Sequence, residues 1–188
     1  MIRVVLKEGA RENLPIKMLD FPSARQSHDF SCGAAVVQAI LGYYDIRDIK
    51  EDDIIKGLGT TSKKGTETDQ IIKYLKKMGL KAAGKSNCDL KTVAKMIDQD
   101  HPVIISLQAW SDDKNPDYSK NVDSHYVVAI GYNRDSVFLE DPSLMGHHGV
   151  LSIKEFNERW HDEFNQRYAI FVWGKKPNYN SDTAERIE

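Results

Sequence analysis

Apolar residues fall at helical spacing through the first half of the chain and in short continuous runs through the second. Val36, Val37, Ile40, Leu41 and Tyr44 share one face of a helix that begins near Cys32, with Ser31 or Asp29 placed to cap it. Ile49–Leu58 predicts a short acidic helix closed by Gly59. Thr66-Glu-Thr-Asp69 matches the pattern of a capping box, and Ile71, Ile72, Leu75 and Met78 form the buried stripe of the helix it opens, ending at Gly79. Asp89 is the expected cap of another helix, with Leu90, Val93, Ala94 and Ile97 on one face.

After Pro102 the period changes. Val103–Leu107, His125–Tyr132, Val137–Leu139 and Arg167–Trp173 are apolar runs whose length and β-branched content favour strands. Asn133-Arg-Asp-Ser136 is a hairpin turn between the second and third of these. Ile2–Leu6 and Ile16–Phe21 are shorter extended pieces, and Ser152-Ile-Lys-Glu155 is a second capping box, opening a helix through Trp160. Helices early and antiparallel strands late describe an α+β domain, in which the first helix packs on a sheet from the C-terminal half. The domain is expected to span 1–174, with 175–188 a polar tail lacking apolar periodicity.

Composition narrows the function classes. At 188 residues the chain is long enough for one sizeable core, and 40% hydrophobic with 29% charged residues is ordinary for a soluble protein. A net charge of −2 offers no electrostatic basis for binding nucleic acid or an anionic membrane. No apolar run reaches the roughly 20 residues needed to span a bilayer. The N-terminal apolar stretch is too short for a secretory signal, so the expected location is the cytoplasm. Two cysteines, Cys32 and Cys88, do not make a disulfide framework.

The chemistry centres on the start of the first helix. A turn-prone run, Gln26-Ser-His-Asp-Phe-Ser31, delivers Cys32 into the first helical turn, where backbone N–H groups and the helix dipole favour a thiolate. A lone cysteine there is as readily a packed hydrophobe, so a nucleophile needs partners. His125 opens an apolar strand after a long polar loop, which puts its ring at the rim of the sheet. Asp141, in Leu-Glu-Asp-Pro, lies almost symmetrically with it about the Asn133–Ser136 turn, so the two rims coincide. A carboxylate there would orient the imidazole as a base. Gln26, six residues before the cysteine, can add an oxyanion donor to the Cys32 amide.

Gln26-x5-Cys32-Gly-Ala-Ala, then His125-Tyr-Val-Val, then Asp141-Pro-Ser, together with Gly-Thr-Glu…Leu-Lys-Lys-Met-Gly-Leu at 65–80, resembles the double-glycine-leader cysteine peptidases, which belong to the papain-like superfamily. The resemblance covers roughly 17–173. It implies a papain-like fold and hydrolysis of a peptide bond, with Cys32 as nucleophile, His125 as base and acid, Asp141 as orienter and Gln26 as oxyanion donor. It also implies a peptide or protein substrate and no cofactor. Relatives linked to transporters commonly carry an acidic residue where this chain has Ser31, and no nucleotide-binding Gly-x4-Gly-Lys-Ser/Thr occurs here, so a stand-alone relative is expected. Two other readings of the same residues are a papain-like acyl transferase and a non-catalytic leader-binding module.

Other features are read more plainly. His101 and His161 are structural; His147-His148 lack the spacing of a zinc motif, and no metal is expected. Cys88 has no base in its surroundings and reads as structural. Trp110–Asp123 is a solvated loop beside the cleft, with a gating insertion as the alternative.

Overall fold

The computed structural model describes residues 17–175. The expected strand at Ile2–Leu6 and the tail beyond Lys175 lie outside the described residues. The architecture is α+β: strand β1 (Lys17–Met18), helices α1 (Cys32–Tyr43), α2 (Glu51–Leu58) and α3 (Thr68–Lys77), strand β2 (Lys81–Lys85), helix α4 (Leu90–Asp98), strands β3 (Val103–Gln108), β4 (Ser124–Tyr132), β5 (Ser136–Glu140) and β6 (Gly149–Ser152), helix α5 (Ile153–Arg159) and strand β7 (Ala169–Trp173). The sheet is antiparallel throughout, in the order β2-β7-β3-β4-β5-β6. β1 pairs with the end of β4 at Gly131 and Tyr132, where β5 already holds the other edge, so it continues the edge that β3 has left.

Helix α1 is more deeply set than its apolar stripe predicts. Ala34, Ala35 and Ala39 are buried as fully as Val36, Val37, Ile40 and Leu41. The reason is that α2, α3 and β4 all pack against it. The apolar positions face the bulk of the core, while the small residues let neighbours close in. Burying each Val, Leu or Ile stabilises the fold by about 1.5–3 kcal/mol. Gly33 shows how tight the packing is: a Cβ there would sit 2.5 Å from the Thr66 side chain.

Two expected caps are corrected. Ser31 occupies the N-cap position of α1 but makes no side-chain cap, nor does Asp29; the Ser31 hydroxyl instead donates to Glu51 Oε1, 2.7 Å away, and lies 3.0 Å from the His28 carbonyl. Thr66 does not open α3 either. Glu67 holds the N-cap position, and the Thr66 hydroxyl pairs with that of Thr60 at 2.7 Å while its methyl side covers Gly33. In both cases a buried hydroxyl reaches a tertiary partner that the local pattern does not reveal. The other caps are as expected: Asp89 accepts from the Thr92 amide, Ser152 and Glu155 form a capping box, and Gly59 closes α2 with φ 67°.

Strands β2 and β6 are additions to the predicted set. β2 reads Lys-Ala-Ala-Gly-Lys, without a β-branched or aromatic residue, and is a strand because it pairs along its whole length with the apolar β7. β6 forms beside β5 in the same way. Among the described residues, no helix is long and apolar enough to cross a membrane.

Candidate active site

Three elements meet at one rim of the sheet. Cys32 is the first residue of α1 and is buried; His125 is the second residue of β4; Asp141 follows the last residue of β5. His125 Nε2 lies 2.7 Å from Asp141 Oδ1, with both side chains at least nine-tenths buried. Cys32 lies close enough to the ring to act on its charge.

The backbone places the carboxylate through an irregularity. Beside the turn, Tyr132 faces Val137 and Gly131 faces Phe138. Had that register run on unbroken, Asp141 would fall opposite Val128 and point to the other face from His125. The register shifts between Ala129 and Gly131, so that Ala129 faces Leu139 and Val128 faces Glu140. Continued one step, this sets Asp141 opposite Val127, two residues from His125 on the same side of the pleat. Diagonal neighbours of that kind are within side-chain reach. The bulge therefore turns the carboxylate to the histidine.

The electrostatics follow from this packing. Burial is the largest influence on His125 and opposes the charged ring. The hydrogen bonds to Asp141 and Cys32, with the charges of both, outweigh it and raise the imidazole pKa to about 9. Burial likewise works against the Asp141 carboxylate. It is overcome by the hydrogen bond and charge of His125, by the Ser143 amide and by the Trp110 indole, so the carboxyl is held below the usual carboxylate range.

Trp110 is the residue that sequence reasoning missed. Its Nε1–H donates to Asp141 Oδ2 at 2.9 Å, taking the oxygen that His125 does not use. Its backbone is left-handed, φ 59°, a conformation that costs roughly 1–3 kcal/mol in a bulky residue. The loop it begins is solvent-exposed along most of its length, as expected, but it is tied to the fold. Gln108 Oε1 accepts from the Val122 and Asp123 amides, and the His161 ring nitrogens lie 3.0 and 3.1 Å from Asn121 Oδ1 and the Tyr118 carbonyl. The available signal was an aromatic residue at the junction of an apolar strand and a polar run.

Gln26 is turned onto its own loop. Its Nε2 donates to the carbonyls of His28 at 3.0 Å and Asp29 at 3.3 Å, while its Oε1 accepts from Ser143 Oγ at 3.1 Å. Its amide donates to the Pro142 carbonyl, so the strap before Cys32 is tied to the loop that carries Asp141. Cys88 is buried with its thiol on the Lys85 carbonyl at 3.3 Å, and burial raises its pKa. His101 packs with Nδ1 3.3 Å from the Tyr44 hydroxyl, and His148 meets Glu140. Among the described residues no three or more His, Cys, Asp or Glu side chains are grouped to hold a metal.

The family model of the Peptidase C39 family matches residues 20–176. A search of curated protein sequences gave no match. Similar solved structures include a double glycine motif protease from an AMS/PCAT transporter in complex with the leader peptide, at TM-score 0.60 and 18% identity, covering 84% of this chain and 94% of that one. The peptidase domain of Streptococcus ComA, a bifunctional ABC transporter, is similar at TM-score 0.63 and 20% identity, covering 85% and 98%. A C39-like peptidase from Bacillus anthracis is similar at TM-score 0.63 and 17% identity, covering 86% and 99%. At these identities the likeness shows the fold, which is that of the papain-like α+β peptidases.

Proposed function

The chain belongs to the Peptidase C39 family and is a cysteine-type peptidase; within that activity, we propose that Cys32, His125, Asp141 and Gln26 do the chemistry. The observation that carries the assignment is the His125 ring, held between the Asp141 carboxylate and the Cys32 thiol in a buried setting that favours imidazolium. Cys32 Sγ attacks the substrate carbonyl, and the developing oxyanion is met by the Cys32 amide, which has no partner within the helix at this position. Gln26 supplies the second donor by turning away from the Asp29 carbonyl, the longer of its two bonds. His125 gives its proton to the leaving nitrogen as the C–N bond breaks, leaving a thioester. It then takes a proton from water, whose oxygen attacks the thioester, and the C–S bond breaks to release the acid and restore the pair.

The substrate class is a peptide segment, and the leader peptide bound in one structural neighbour, a double glycine motif protease, favours a leader-bearing precursor. The reading is tested by mass spectrometry on a panel of leader-like peptides, Gly-Gly-ending ones included. Wild-type protein is expected to cleave at one bond and Cys32→Ser at none. Iodoacetamide at mildly acidic pH is expected to label Cys32 at least about tenfold faster than Cys88. Equal, slow labelling of both cysteines would overturn the ion pair.

A further inference from the structure

Beside Asp141 lies a cavity of about 250 Å³ that opens to solvent. Leu107, Val127, Leu139 and Leu144 give it a mainly apolar lining, to which Asp141, Trp110 and Arg159 also contribute. Leu107 lies opposite His125 in the β3–β4 register, so this lining belongs to the same side of the sheet as the catalytic ring. Around the opening, apolar side chains that could have been buried are left in solvent. Trp110 is 51% exposed and Val150 57%, and both line the cavity. Apolar surface gathered about an apolar cavity marks a place where something apolar docks.

The chemistry says which part of a substrate passes there. In acyl transfer the carbonyl carbon stays with the sulfur of Cys32, while the leaving nitrogen must reach the proton of His125. The leaving-group side of the peptide therefore runs from the cysteine past the histidine, toward Asp141, Trp110 and the cavity between them. We infer that this cavity is a specificity subsite for a large apolar side chain, of the leucine, methionine or phenylalanine class, on the residue immediately after the scissile bond. The inference rests on the assignment of Cys32 and His125 above. Trp110 then has two roles: its indole N–H fixes the carboxylate and its ring forms the lip of the subsite.

Partition of the acyl-enzyme tests this, because an amine that replaces water must occupy the same side as the leaving group. N-acetyl-Gly-Gly p-nitrophenyl ester would acylate Cys32 with release of p-nitrophenol. Leucinamide or glycinamide would then compete with water. The amine nitrogen forms the new C–N bond as the C–S bond breaks, Cys32 leaves as thiolate and the amine proton passes to His125. Leucinamide is expected to capture the acyl group at least about tenfold more effectively than glycinamide, the scale on which apolar pockets discriminate. Val150→Asp, at an exposed strand position, and Leu144→Trp, which fills the cavity, should each remove most of that preference, read as the ratio of leucinamide to glycinamide capture within each variant so that any change in acylation rate cancels. Equal capture of the two amines by wild type, or a preference that survives both variants, would overturn the subsite. Loss of Cys32-dependent p-nitrophenol release would instead overturn the site assignment on which it rests. A readout independent of turnover is the Trp110 indole N–H resonance in Cys32→Ala, assigned with Trp110→Phe. Leucinamide should shift it and glycinamide should not; no shift with either counts against the subsite.

Discussion

Glu140 and Asp141 are adjacent in the chain, and each accepts a hydrogen bond from a histidine nitrogen 2.7 Å away. By distance alone the two pairs are indistinguishable. Strand alternation sends them to opposite faces, and there the likeness ends. Asp141 meets a ring that also feels Cys32, and its second oxygen takes the Trp110 indole. Glu140 meets His148, a partly exposed loop residue, and its remaining oxygen binds Ser23 Oγ at 2.8 Å and the Ala24 amide at 3.0 Å. One pair orients a base. The other fastens the strap that leads to Gln26. A buried histidine–carboxylate contact is thus not a catalytic signature; the third partner decides.

Substitution of the two histidines is the strongest way to break this contrast. His125→Ala should lower kcat by about 10³-fold or more, the scale of a lost general acid–base, whereas His148→Ala should stay within about tenfold of wild type. Comparable losses in the two variants, measured on any cleaved peptide, would mean that the pairs are not functionally different.

The carboxylates come next. Because the folded protein raises the His125 pKa to about 9, the imidazolium persists well above its ordinary range and is lost as pH rises through that value. The alkaline limb of kcat/KM is therefore expected near pH 9. The same sign applies to stability: the contribution of this ring is complete below about pH 6.5, the ordinary imidazole value, and disappears on passing pH 9. Asp141 acts in the opposite sense, its contribution fading as pH falls through its lowered value. Asp141→Ala should cost about 10²-fold in kcat and move the alkaline limb downward. Glu140→Gln should leave that limb where it is.

A smaller effect belongs to Glu140→Ala, which strands the Ser23 hydroxyl, the Ala24 amide and His148. Ser23 is exposed and Ala24 and His148 are partly so, and water can replace the carboxylate, so each lost hydrogen bond costs about 0.5–1.5 kcal/mol; the urea midpoint should fall while the pH profile of the remaining activity is unchanged. A shifted limb with an unchanged midpoint would assign Glu140 to the acid–base machinery instead.

Much of the fold was legible because its determinants are local. The stripe of α1, the caps at Asp89 and Ser152 and the apolar runs of β3, β4, β5 and β7 are written in neighbouring residues. β2 was not, because Lys-Ala-Ala-Gly-Lys becomes a strand only against β7. Ser31 and Thr66 misled for a related reason, since their hydroxyls have partners distant in sequence. Of the site, Cys32, His125, Asp141 and Gln26 were visible as residue types in order, whereas Trp110 was hidden in a polar run.

By itself, then, the sequence determined which groups are available and at which element ends they stand, because helix starts and strand limits follow from periodicity and capping. That His125 and Asp141 share a face was decided only in the folded sheet. The symmetry of the pair about its hairpin is correct to within two residues, but side-chain direction reverses with each residue of register. The shift between Ala129 and Gly131 is what sends Asp141 to the histidine and Glu140 to the strap. A local pattern can bring two side chains to one rim; only the pairing of the strands decides whether they meet.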